Sequence, residues 1–106
     1  ETHHSKKYDI PSGTAKKLAN AIADELPEGT EVPILSIRAG GYVGLHTVML
    51  ASDYERISLT HESFNRRAFV EGALVAAEFI VGRTGWYEME DVLGMRAAQK
   101  AAANVG

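Results

Sequence analysis

Two runs, 44–51 and 56–61, are joined by only four residues, "SDYE", and this pairing constrains the chain more than any other feature. Both runs are rich in Val, Ile, Leu and Thr, residues that fit a pleated, half-buried surface. A connection that short sends the chain back beside itself as an antiparallel hairpin. A third run, 34–39, precedes them and reaches the second through "GGYVG". Three such closely spaced runs predict an antiparallel meander. The glycine-rich link is not a dinucleotide loop, which would have to pass from a strand into a helix.

Helical patterns flank these runs. Ala15, Leu18, Ala19, Ile22 and Leu26 recur at helical spacing and predict a helix over 13–26. Ser12 is its expected N-cap, with Thr14 as the alternative. Ile10, standing before Pro11, is biased away from helical geometry, so the helix starts beyond it. Phe69, Ala73, Ala76, Ala77 and Ile80 predict a second helix over 65–81, stopped by Gly82. "TGWYEMEDVLG" reads as a short extended piece and a helical turn. The 96–106 tail is Ala-rich, and either a terminal helix or a non-native addition suits it. With residues 1–4 as a strand end, the order β-α-β-β-β-α gives an α+β domain. Its small mixed or mostly antiparallel sheet has about four strands, with two main helices on one face. The run "VGLHTVML" is apolar on both faces, through Val43, Leu45, Val48, Met49 and Leu50. The face without helices must therefore meet another surface.

Composition narrows the function. A chain of 106 residues suits one small domain, and 45% hydrophobic with 24% charged residues is ordinary globular composition. A net charge of -3 gives no reason to expect a nucleic-acid or anionic-membrane partner. The apolar stretch near 73–81 is too short to span a bilayer and is broken by Glu78. Cysteine is absent, which excludes disulfides and thiolate metal sites and fits a reducing compartment. A cytoplasmic location is the expectation.

The chemistry concentrates in "ETHHSKKYDIPSGTA", residues 1–15. Free N–H groups at a helix start, with the positive end of its dipole, bind anions readily. Gly13 lets a ligand approach the backbone, and the Ser12 and Thr14 hydroxyls add donors. For that fragment alone, plain helix capping is the favoured reading. Lys7 adds a mobile positive charge close to it. His3 and His4 point to opposite sides of an extended segment, and either suits proton transfer near neutral pH. Asp9 orients a neighbouring base or makes an Asx turn. Together these residues favour a ligand site over capping alone. No metal is expected. Adjacent histidines on a strand chelate poorly, no carboxylate-rich spacing accompanies them, and His46 and His61 read as strand-face residues.

This opening segment resembles the substrate-binding signature of dihydrodipicolinate reductase, of the form E-x-H-H-x-x-K-x-D-x-P-S-G-T-A. "SIRAGGYVGLHTVML", "ERISLTHESFNRRAFVEGALVAAEFI" and "GWYEMEDVLG" are similar to its later segments, in the same order. The resemblance runs to about Met95. It implies that residues 1–95 are the substrate-binding and oligomerisation domain of a two-domain enzyme, with the Rossmann domain absent from this chain. That enzyme moves hydride from NADPH or NADH, held mainly by the missing domain, to a cyclic unsaturated dicarboxylate in diaminopimelate and lysine biosynthesis. It implies His3 as general acid and His4 as a substrate contact. Lys7 would hold a carboxylate or assist proton delivery, Ser12, Gly13 and Thr14 would cradle a carboxylate, and Arg66 would line the substrate region. Arg67 departs from an often uncharged position and reads as a solvated helix charge. The resemblance further implies a homotetramer joined through its sheets. The short 27–35 connection, where relatives carry a longer loop, leaves those contacts open. A non-catalytic dicarboxylate-binding or assembly module is the competing reading.

Overall fold

A computed structural model describes residues 1–105. The chain divides into two compact units, residues 1–65 and residues 66 onward.

The first unit is built on a four-stranded mixed sheet, in the order β2-β1-β3-β4, from β1 (Thr2–His3), β2 (Ile37–Arg38), β3 (Gly44–Ala51) and β4 (Arg56–Ser63). The expected hairpin is present: β3 and β4 pair antiparallel from Gly44↔Ser63 to Ala51↔Arg56. Its turn closes because Ser52 donates its backbone N–H to Glu55 O, while Ser52 Oγ accepts from Tyr54 N and Glu55 N. The expected three-stranded meander does not form. β1 lies between β2 and β3, parallel to β2 and antiparallel to β3. The reason is local: β1 is two residues long, and its ladder needs both neighbours. Ile37 N donates to Glu1 O and Ala39 N to His3 O. The α+β class and the four-stranded mixed sheet match the sequence reading.

Helix α1 (Gly13–Ala23) starts where the sequence puts it. Ser12 has extended geometry, and its hydroxyl accepts from Ala15 N at 3.2 Å. The helix stops three residues earlier than expected, at Asp24, whose N–H bonds back to Asn20 O. A cavity of about 510 Å³ runs beside its apolar stripe, between Leu18 and Ile22 on one side and Leu35, Leu45 and Met49 on the other. Ala15 is the only buried hydrophobic side chain among those described; the other buried residues are Thr2, His3, Ser12, Gly44 and Ser63. The tightest part of this unit is thus polar.

The second unit holds α2 (Arg67–Ile80), α3 (Met89–Val92) and α4 (Met95–Ala103). Gly82, at φ 74°, follows α2 as the sequence suggests. Glu88 and Asp91 form a reciprocal capping box at α3, and Arg96 from α4 pairs with both carboxylates. The tail therefore takes the terminal-helix alternative as far as Ala103. No helix among the described residues is long and apolar enough to cross a membrane.

Candidate functional site

The opening motif is held in place by one ion pair. Glu1, at the entry to β1, has a side chain only 2% exposed, and the Arg38 side chain facing it from β2 is 10% exposed. Arg38 Nη1 donates to Glu1 Oε2 at 2.7 Å and Nη2 to Oε1 at 3.1 Å, a two-pronged contact that fixes both groups. Glu1 Oε1 also accepts from Ser12 N at 3.1 Å, which ties the strand to the start of α1. Burial would push the Glu1 carboxyl up. The hydrogen bonds from Arg38, Ser36 and Ser12 outweigh it and hold the group well below the usual carboxylate range.

Arg38 has further donors to place. Its Nε donates to Lys7 O at 3.2 Å and its Nη2 to Asp9 O at 2.6 Å. The loop between β1 and α1 is thus pinned in its middle by Arg38 and at its end by Glu1. Its first turn is closed by Lys7 N donating to His4 O. Within that frame Lys7 Nζ pairs with Asp9 Oδ1 at 2.9 Å. The hydrogen bond from Lys7 lowers the Asp9 carboxyl below its ordinary value.

His3 turns inward. Its ring lies over Gly44, where even an added Cβ would stand only 3.4 Å from His3 Cε1. Its Nε2 lies 3.3 Å from His46 Nε2 and 3.4 Å from Glu1 Oε1. His46 Nε2 in turn lies 3.2 Å from Ser12 Oγ. The two rings meet edge-on, 5.0 Å between centroids. Burial lowers both imidazoles below their ordinary value. For His3 the nearby Lys7 and Arg38 add to this against the pull of Glu1; for His46, His3 and His61 add to it.

The structure brings His3, Ser12 and the Lys7 loop together, with His4 half-buried at the end of β1. Gly13 and Thr14 are exposed at the helix start, and a Cβ on Gly13 would meet nothing within 4 Å. The approach to the helix N-terminus is therefore open. Arg66 belongs to the second unit, where its carbonyl accepts from Phe69 N and Val70 N at the start of α2. Arg67 is a solvated helix charge, as expected, paired with Glu71 one turn on.

Sequence reasoning gave no role to Glu1, Arg38 or His46. One signal was available: an isolated glycine in a strand marks a close approach. Gly44 opens β3, and strand alternation sets His46 on the same face. His46 is more than a strand-face residue. With Glu1 and His3 it brings three ligand-type atoms within 4.8 Å of one another. The Glu1 carboxylate there is already neutralised by Arg38 and Ser12 N, which leaves little charge to attract a cation. The link between β2 and β3, with Gly40 at φ 52°, joins strand to strand. Among the described residues nothing resembles a dinucleotide cradle.

Residues 1–93 match the family model described as dihydrodipicolinate reductase, C-terminus. Among curated proteins, the chain is 46% identical to the 4-hydroxy-tetrahydrodipicolinate reductase of Methanopyrus kandleri, with 88% of this chain and 40% of that protein aligned. It is 37% identical to the enzyme of the same name from Ralstonia pickettii, over 90% of this chain and 43% of that protein. The chain thus spans about two-fifths of the length of these relatives. A solved structure, the dipicolinate-bound dihydrodipicolinate reductase of Paenisporosarcina sp. TG-14, superposes with a TM-score of 0.59 at 29% identity. That match covers 69% of this chain and 35% of the other.

Proposed function

The chain belongs to the C-terminal family of dihydrodipicolinate reductase, and from that premise we propose that it is the substrate-binding and proton-donating domain of such an enzyme. The full protein would move hydride from NADPH or NADH to the ring of dihydrodipicolinate, in diaminopimelate and lysine biosynthesis in the cytoplasm. The family resemblance implies that the nucleotide is held mainly by a second, Rossmann-type domain, and the strand-to-strand glycine link of this chain is consistent with that. The substrate is a dicarboxylate, in keeping with the dipicolinate named for the solved relative.

One observation carries this reading. The loop bearing Lys7 is clamped by Arg38 and Glu1 against the open N-terminus of α1. A cation on the clamped loop that leads into the N–H groups of Gly13 and Thr14 suits a carboxylate. In this role Lys7 exchanges its exposed Asp9 partner for the ligand. Ser12, Gly13 and Thr14 receive a carboxylate, His4 makes a neighbouring contact, and His3 supplies the proton that balances hydride addition. Arg66 enters on the family resemblance alone. Self-association through the sheet, to a tetramer or a dimer, completes the proposal. The exposed apolar residues of β3 and β4 support it.

Calorimetry with pyridine-2,6-dicarboxylate at low salt tests the site. Weak binding is expected, because no second domain closes over the ligand, and Lys7→Ala should abolish it. Equal binding by both proteins would refute the site.

A further inference from the structure

His46 has no part in the reading above, yet it makes the closest side-chain contact to His3. The hydrogen-bond inventory of the cluster shows what that contact does. His3 Nε2 faces both Glu1 Oε1, at 3.4 Å, and His46 Nε2, at 3.3 Å. A neutral His3 with its hydrogen on Nδ1 is bare at Nε2, and His46 Nε2 is then the group placed to donate to it. When His3 instead carries a proton on Nε2, His46 can turn acceptor by holding its own hydrogen on Nδ1. Ser12 Oγ, which accepts from Ala15 N, lies 3.2 Å from His46 Nε2 and is a second partner for that nitrogen.

We propose that His46 is a positioning residue for His3: the two imidazoles hold one proton between their Nε2 atoms, and His46 keeps His3 in the orientation and tautomer from which that proton can be given. The fold supplies this pairing on purpose-fit positions. The His3 ring comes against β3 at Gly44, where its Cε1 would stand 3.4 Å from an added Cβ, and meets His46 two residues on. His61 stands directly opposite His46 on β4, on the same face and exposed. The charged and titratable groups around the pair are Glu1 at the entry to β1, the N-terminal ammonium, Lys7 in the loop, Arg38 on β2 and His61 on β4. A second proton would put two imidazolium rings in contact beside these cations, so the pair takes up one proton and resists another. The proposal rests on the reading of His3 as the proton donor for its use in catalysis, but not for its geometry.

The test is a pH titration of the chain, with histidine rings labelled with ¹⁵N and followed by long-range proton–nitrogen correlation. His3 and His46 should move together in a single step that takes up one proton, with the neutral His3 hydrogen on Nδ1. In His46→Leu the shared step should be lost and His3 should titrate at lower pH than in the wild type. His46→Gln, whose amide oxygen can accept from His3 Nε2, should restore it in part. Independent titration of the two rings in the wild type, or a His3 titration in His46→Leu at the wild-type pH or above, overturns the proposal. The wild-type titration decides the matter even where His46→Leu fails to fold. Normal turnover by a full-length reductase carrying His3→Gln would defeat the reading of His3 as proton donor and leave the coupled titration standing.

Discussion

The two sides of the small sheet are stabilised in opposite ways. At the β1 side, two strand residues are buried beside a network in which Glu1, Arg38, Ser12, His3 and His46 satisfy one another. At the β4 side, eight strand residues are paired along one edge only, and seven of the eight are exposed, including Ile57 and Leu59. The short strand carries little ladder and is held by charge-assisted hydrogen bonds. The long strand carries a full ladder and a bare apolar surface. The polar side therefore owes its shape to contacts inside the first unit, whereas the edge leaves an apolar surface exposed. The polar network and the exposed apolar strand stand at different sides of one sheet.

The sharpest way to break that contrast is to remove Arg38. Arg38→Leu would leave the Glu1 carboxylate, whose side chain is 2% exposed, without its cation, and should lower stability more than any other single change on the sheet. It would also free the loop carbonyls of Lys7 and Asp9. Urea unfolding should show the loss, and the loop amides should exchange faster with solvent. A change below about 1 kcal/mol would mean the pair is far more hydrated than its burial implies.

How far this was legible depends on distance along the chain. Ser12 as cap, the start of α1 and the β3–β4 hairpin all follow from residues close in sequence, and each was readable. The Arg38–Glu1 pair spans the whole first helix and its loop, and no periodicity announces it. The same limit hid the parallel β1–β2 pairing. A two-residue strand has no alternation to recognise, and sequence proximity favoured a meander that the β1 ladder overrides. The motif residues His3, His4, Lys7 and Ser12–Thr14 stand out in the sequence through their chemical types, which is why they could be proposed. His46 was not, because its partner lies on another strand and only Gly44 hinted at the approach.

Acid should loosen the β1 side next most strongly, and selectively. In the folded chain the Glu1 carboxyl and the His3 and His46 imidazoles all sit below their ordinary values of 4.5 and 6.5. The unfolded chain then binds more protons as pH falls, so stability declines with acidity. The histidine contribution is complete above about pH 6.5 and is lost below it, as the unfolded imidazoles protonate first. The carboxylate contribution persists to about pH 4.5 and is lost below that. Urea midpoints measured from pH 8 to pH 4 should fall in these two stages. His46→Leu should flatten the first stage and spare the second. A midpoint that rises between pH 7 and pH 5 would contradict the burial of both rings.

The smallest effect on folding belongs to the β4 side, and it makes the contrast most specific. Leu59 is 63% exposed and lies on the His61 face of the hairpin, opposite Val48. Replacing an exposed residue away from buried contacts changes unfolding free energy by about 0.5 kcal/mol or less. Leu59→Lys should therefore leave the unfolding of the monomer nearly unchanged. If that face is where copies of the chain meet, the same substitution places a charge in an apolar contact and should disperse the assembly. Sedimentation equilibrium would then show wild-type oligomers and a variant that stays monomeric at the same concentration. Should both proteins run as monomers at high micromolar concentration, β4 is not a self-association surface, and the full-length enzyme must cover it by other means. Should the variant instead unfold much more easily, Leu59 is packed within the chain, and the division between a self-sufficient site and a waiting edge is drawn in the wrong place.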